Sequence, residues 1–156
     1  MISKVTITGV KDLSANLKKL DINLSKLSQP LKSSAEFMKL EANRNFSAKG
    51  ATFGETWLPL TERTKKIKER LGYGSQPMMV RTGLLKSAFW IDGPYTTKLG
   101  GNVKVLNPIY YAPLHQEGVG RLPRRVLLKL AKKQVDEITR IFVNWVTRQV
   151  RQSFKK

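Results

Sequence analysis

The sequence predicts an α+β fold: a small antiparallel sheet packed against two long amphipathic helices, with long loops between the elements. Three patterns lead to that reading. Apolar residues recur at spacings of three and four near each end of the chain, the mark of helices with one apolar face. Short runs near the start and after the middle alternate apolar and polar, the mark of strands with one buried face. Glycine and proline punctuate the region between, so the middle is rich in loops. Two amphipathic helices each need an apolar surface to lie on, and a small sheet supplies one. With 156 residues the chain is long enough to bury a core, and it reads as a single domain over residues 1–156.

Taken in order, Ser3 to Thr8 alternates, with Val5 and Ile7 on one side, and reads as a short strand ending at Gly9. Val10, Leu13, Leu17, Leu20, Leu24, Leu27 and Leu31 then carry a helical period. The stretch Asp21 to Ser25 and Pro30 interrupt it, which favours a helix lying on a sheet over a coiled coil. Pro30 suits the first turn of a new helix capped by Ser28 and continuing through Met38 and Ala42 to about Phe46. Ser47 to Thr56 is small, polar and glycine-bearing, and reads as a loop with a mobile tip.

The stretch Phe53 to Ala88 organises the rest. Trp57 is an aromatic in a loop, so something must cover it. One reading places it in an apolar cluster with Leu60, Leu85 and Phe89. The other makes it an anchor on a neighbouring subunit. Thr61 is an N-cap for a basic helix running to Leu71, with Glu62 near its positive end, and Gly72 and Gly74 stop it. Thr82 can cap a second short helix, Gly83 to Phe89. Phe89 to Asp92 reads as a strand, Gly93 to Gly101 as a turn, and Asn102 to Asn107 as the antiparallel partner strand. Tyr110 to Gly118 reads as a turn or one helical turn, and Arg121 to Arg125 as an exposed basic connector. Val126 to Leu130 reads as a last strand, with a helix start as the alternative. Lys132 to Phe154 is the clearest helix, with Val135, Ile138, Phe142, Trp145, Val146 and Val150 on one face.

Charge narrows the partners. The chain carries 29 Lys and Arg against 11 Asp and Glu, a formal net charge of +18. Such a chain repels itself and favours polyanions. The excess is uneven: Arg121, Arg124, Arg125, Lys129, Lys132 and Lys133 fall in one stretch without an acid, and they are expected to form a patch facing DNA or an acidic partner. Catalytic patterns are missing. There is no cysteine and one histidine, His115, so neither a thiolate metal site nor a histidine cluster is expected. His115 reads as a hydrogen-bonded residue in a packed turn. Acidic residues are scattered, no G-x-S-x-G elbow is present, and no phosphate-cradling glycine loop leads into a helix. The expectation is no enzyme and no cofactor. No apolar run approaches membrane-spanning length and the start lacks a signal-peptide core, so a chain made and used in the cytoplasm is expected.

Three blocks in order carry a resemblance. They are Phe53-Gly54-x-x-Trp57-x-Pro59-Leu60 followed by Thr64 and Lys65; Arg81-Thr82-Gly83-x-Leu85-x-Ser87; and Tyr111-Ala112-x-x-His115-Gln116-x-Gly118 followed by Pro123, Arg124 and Arg125. Over about residues 30 to 150 the pattern resembles the virion morphogenesis, or tail completion, proteins of Mu-like and related contractile-tailed phages. It is similar also to head–tail joining neck proteins. Arg124 stands where that pattern often has a small residue. The resemblance implies a non-enzymatic virion subunit of the neck or tail end, assembled in the host cytoplasm. It also implies a ring, hexamer or dodecamer, around the channel through which double-stranded DNA passes, in contact with other neck, connector or tail proteins. A closed ring needs two complementary faces on each subunit. Phe53, Trp57, Met78, Met79, Tyr110 and Tyr111 are the loop-borne residues expected at the subunit contacts. The alternative is a free protein that binds nucleic acid without sequence preference, and it lacks support from any helix-turn-helix, zinc finger or ribbon reader in the sequence.

Overall fold

The computed structural model describes residues 3–7, 24–97 and 100–153. Three strands, β1 (Ser3–Ile7), β2 (Trp90–Thr97) and β3 (Gly100–Asn107), form one antiparallel sheet in the order β1-β3-β2. Among the described residues five α-helices accompany it, an α+β architecture: α1 (Ser28–Ser47), α2 (Glu62–Arg70), α3 (Leu84–Ser87), α4 (Ala112–Glu117) and α5 (Lys132–Ser153). The expected helical run from Val10 and the tip of the β2–β3 turn lie largely outside the described residues. The chain divides into two compact units, one of Met1–Lys4, Lys39–Trp90 and Leu106–Lys129, the other of Val5–Met38, Ile91–Val105 and Leu130–Lys156.

In α1 the buried stripe is Leu31, Ala35, Met38, Ala42 and Phe46, each with no exposed surface, at the four-and-three spacing of one helix face. Leu27, equally buried, precedes it in a 3-10 turn over Leu24–Leu27. Ser28 begins the helix itself, so its expected place as a cap ahead of the helix is corrected by one residue.

In the second unit the sheet receives α1. Val5, Val103 and Val105 are buried, and a Cβ added to Gly101 would come within 2.7 Å of Leu31 Cδ1, so the helix lies directly on β3. β2 runs longer than expected, through Gly93 and Pro94, as it pairs with β3, and Asp92 accepts from Tyr95 Oη at 2.6 Å and from Lys104 Nζ at 3.4 Å. α5 buries Ile138 and Trp145 but leaves Val135 45% exposed. Val135 therefore falls off the covered face, which enters the helix at the fully buried Gln134 and continues through Ile138 and Trp145.

In the first unit Phe46 is the hub. Its ring meets Trp57 edge-on at 5.5 Å and Phe89 at 6.4 Å. Trp57 and Phe53 are buried, not loop anchors, because the chain after α1 folds back tightly. Gly50 makes that possible: its φ is +97°, and a Cβ there would lie 2.6 Å from Trp57 Cδ1. Trp57 N then donates to Lys49 O at 2.9 Å, closing the turn.

Val126 to Leu130 is not a strand. It is an irregular segment, buried at Val126, Leu127 and Leu128 and exposed at Lys129 and Leu130, and side chains bond the backbone of its buried part. Val126 O accepts from Asn45 Nδ2 at 2.8 Å and from Trp57 Nε1 at 3.1 Å. Leu127 N and Leu128 N donate to Gln116 Oε1 at 2.7 and 3.2 Å, and Leu128 O accepts from Gln116 Nε2 at 3.0 Å. Buried backbone groups need partners, and here three side chains supply what a neighbouring strand would have.

Candidate functional site

A cleft of about 680 Å³ opens in the first unit. Three separated stretches build its walls. Thr61 caps α2, its hydroxyl accepting from Thr64 N at 3.3 Å, and places Pro59, Leu60, Thr64 and Lys68 on one side. Met79 to Leu85 form a second wall, where Gly83 occupies the N-cap of α3 and Thr82 Oγ1 accepts from Leu84 N at 3.4 Å. Tyr110, Tyr111, His115 and Arg121 to Pro123, with Arg125, form the third. Thr82 thus stands beside the cap position expected of it, and the helix spans only Leu84–Ser87.

The third wall depends on one glycine. Gly118 ends α4 at φ +72°, and a Cβ there would lie 2.8 Å from both the backbone nitrogen and the Cβ of Arg124. The close approach lets Arg125 N donate to His115 O at 2.7 Å, which fixes the helix and the basic connector together. Tyr110, Tyr111 and His115 then stack edge to face, at 5.1 and 6.2 Å between centroids.

Electrostatically the cleft is one-sided. Lys68, Arg81, Arg121 and Arg125 line it, and among the described residues no Asp or Glu does. Lys68 Nζ donates to Gln76 O and Pro77 O at 2.8 and 3.0 Å, so it also ties down the loop behind the wall. Arg125 is 5% exposed and its Nη2 donates to Leu58 O at 3.0 Å, while its buried Nε has no partner. Burial pushes its guanidinium below the usual value, though an arginine stays charged. Burial, and then the Arg125 charge, likewise push His115 below the usual imidazole value. Its buried Nδ1 also lacks a partner, which corrects the expectation of a hydrogen-bonded histidine side chain.

The residues expected to meet partners separate into groups. Phe53 and Trp57 are core; Met78 is half-buried; Met79, Tyr110 and Tyr111 line the cleft. The basic run is not one free patch. Arg125 is buried, correcting the exposed connector, and Arg121 lines the cleft. Arg124 and Lys129 converge on Glu55, at 3.5 and 2.8 Å, so their mutual repulsion is relieved within the chain. The Lys129 hydrogen bond, with the charges of Lys129 and Arg124, holds the Glu55 carboxyl below the usual range. Lys132 and Lys133 are exposed in the first turn of α5, in the other unit. Sequence reasoning missed the roles of the buried amides Asn45 and Asn107 and of the half-buried Gln116. Asn107 Nδ2 donates to Leu85 O at 2.8 Å and its Oδ1 accepts from Ile109 N at 3.2 Å, which anchors α3 beneath the cleft. A signal was available: Asn45 lies beside the apolar stripe of α1, and Asn107 follows Val103 and Val105 at a period of two.

Among the described residues no group of three or more His, Cys, Asp or Glu could hold a metal ion, and no helix is long and apolar enough to cross a membrane. A comparison of the chain with protein-family models, curated proteins and solved structures finds no match.

Proposed function

We propose that the chain is a structural subunit of a tailed-phage neck or tail end, a tail completion or head–tail joining protein that assembles as a ring around the DNA channel. One observation supports this reading above the others. The three blocks that resemble the family are far apart in sequence, yet each gives residues to the same cleft: Pro59, Leu60 and Thr64; Arg81 to Gly83 and Leu85; Tyr111, His115, Pro123 and Arg125. A surface built from all three blocks is where a neighbouring protein would be met. The reading is non-enzymatic: among the described residues the lone histidine touches no carboxylate, and Arg125 beside it is a poor orienter for a general base.

Native mass measurement and electron microscopy of the purified chain should show a closed ring, a hexamer or dodecamer. Particles produced without the chain should contain complete capsids and tails that are unjoined, or tails of wrong length. A monomer that retains duplex DNA tightly, together with normal particles, would replace this reading with that of a free nucleic-acid-binding protein.

A further inference from the structure

We infer that the cleft is a receptor for an acidic, apolar-anchored peptide segment of a partner protein, whose carboxylates meet Arg125, Arg121 and Arg81. The inference rests on the virion-subunit reading only for where the partner is found. The chemistry stands on the cleft itself.

Arg125 carries the argument. A buried guanidinium is costly unless it is paired, and among the described residues this one makes a single side-chain hydrogen bond, to the Leu58 carbonyl, and meets no carboxylate. Its Nε remains buried and unpartnered on the cleft wall. Arg81 and Arg121, exposed on the same walls, take part in no ion pair among the described residues, although six acidic residues elsewhere do pair. An anion entering the cleft would therefore offset the buried Arg125 charge and gain the two exposed cations. Guanidinium groups favour flat, two-oxygen partners such as carboxylate.

The walls select a peptide over a nucleic-acid backbone. Leu60, Met79, Val80, Leu84 and Leu122 face the same space as the cations. A sugar–phosphate chain leaves such side chains uncovered, whereas a leucine or phenylalanine next to a glutamate fills them. The volume, about 680 Å³, lies in the usual range for a site enclosing a small ligand or a few side chains. A second copy of this chain is a poor source of the carboxylates, since it brings a net charge of +18. The partner is an acidic protein of another kind.

Calorimetry of the full chain with a peptide alternating glutamate and leucine, at about 0.15 M salt, tests this. Saturable binding is expected, weakened about ten-fold or more when glutamine replaces glutamate or when Arg81→Ser and Arg121→Ser are combined. The equal charge loss of Lys132→Ser with Lys133→Ser should change affinity less than about two-fold. Arg125→Met should abolish binding, with circular dichroism checking the fold. Absence of binding, equal weakening by both charge-loss pairs, or displacement of the peptide by random duplex DNA that itself depends on Arg81 and Arg121 would each overturn the inference. Mass measured on the same samples separates the two ideas. Binding by a chain that stays monomeric supports the receptor and counts against the ring.

Discussion

Gln116 closes three backbone hydrogen bonds with one side chain, to Leu127 N, Leu128 N and Leu128 O. Gln116→Leu leaves all three groups to find water or go without, and each buried unmade bond costs about 1–3 kcal/mol. Because the site is partly buried, a loss of about 2–4 kcal/mol in denaturant unfolding is expected, and a change within about 0.5 kcal/mol would show that water replaces the amide. Trp57 separates packing from bonding. Trp57→Phe keeps a ring against Phe46 but removes the donor to Val126 O, and should cost about 1–3 kcal/mol. Trp57→Ala should cost about 3–5 kcal/mol; an unchanged melting temperature would return Trp57 to the surface. His115 gives a pH signature. Its folded pKa is lowered, so the unfolded chain binds the proton more readily, and stability is present above the ordinary imidazole value and lost as pH falls through and below it. It is the one histidine, so His115→Gln should flatten the slope of stability between about pH 5.5 and 7. An identical slope in the variant would place the titrating group elsewhere.

At the scale of elements, what was legible in the sequence is what periodicity encodes. The stripe of α1, the Thr61 cap of α2 and the alternation of β3 all follow from side-chain spacing and from local hydrogen bonding. Val126 to Leu130 was not legible, because a short apolar run means burial without saying who bonds the backbone. The cations at Arg124 and Lys129 read as a free patch because Glu55, their partner, lies in a different stretch of the chain. The cleft was legible only as three blocks, with nothing local to say that they meet. Ser47–Thr56 looked mobile for its glycines, yet Gly50 bends it over the core and Phe53 is 1% exposed. Helix α2 keeps the character of an unpartnered element: none of its residues is buried, and Ile67 and the following Leu71 are 40% and 48% exposed. Few buried contacts mean low local stability. Amides of α2 and the Leu71–Val80 loop should exchange fast in the free chain and slow markedly on assembly. Equal fast exchange in both states would exclude them from any subunit contact. The start of α5 offers a complementary test, since Lys132 and Lys133 sit at the positive helix end with no acid in the first turn. Lys132→Glu should therefore stabilise the free chain by about 0.3–1 kcal/mol. Destabilisation would mean that the lysine has a partner within the fold.

The whole molecule is dominated by its charge. With 29 basic and 11 acidic residues, the compact state is strained by self-repulsion, and unfolding spreads the charges apart. Salt acts in two directions. It screens that repulsion, which stabilises the fold, and it screens the ion pairs, which weakens it. The pairs are the smaller effect. Three join largely exposed residues three or four apart on one helix, and each such pair is worth about 0–1 kcal/mol. Repulsion involves every unpaired cation at once, over distances that a Debye length of about 10 Å at 0.1 M only begins to cut. The melting temperature of the isolated chain should thus rise as sodium chloride is raised from about 0.01 M towards 1 M, where the screening length falls to about 3 Å. A polyanion such as heparin should give the same rise at far lower ionic strength by binding the folded state. In an assembly whose acidic partners already neutralise the cations, the dependence on salt should flatten or reverse, because the contacts themselves are then screened. A melting temperature that falls with salt in the isolated chain would show that the pairs around Glu55 and Asp92 outweigh the repulsion. The charge would then be a surface feature that the fold tolerates without a polyanionic partner.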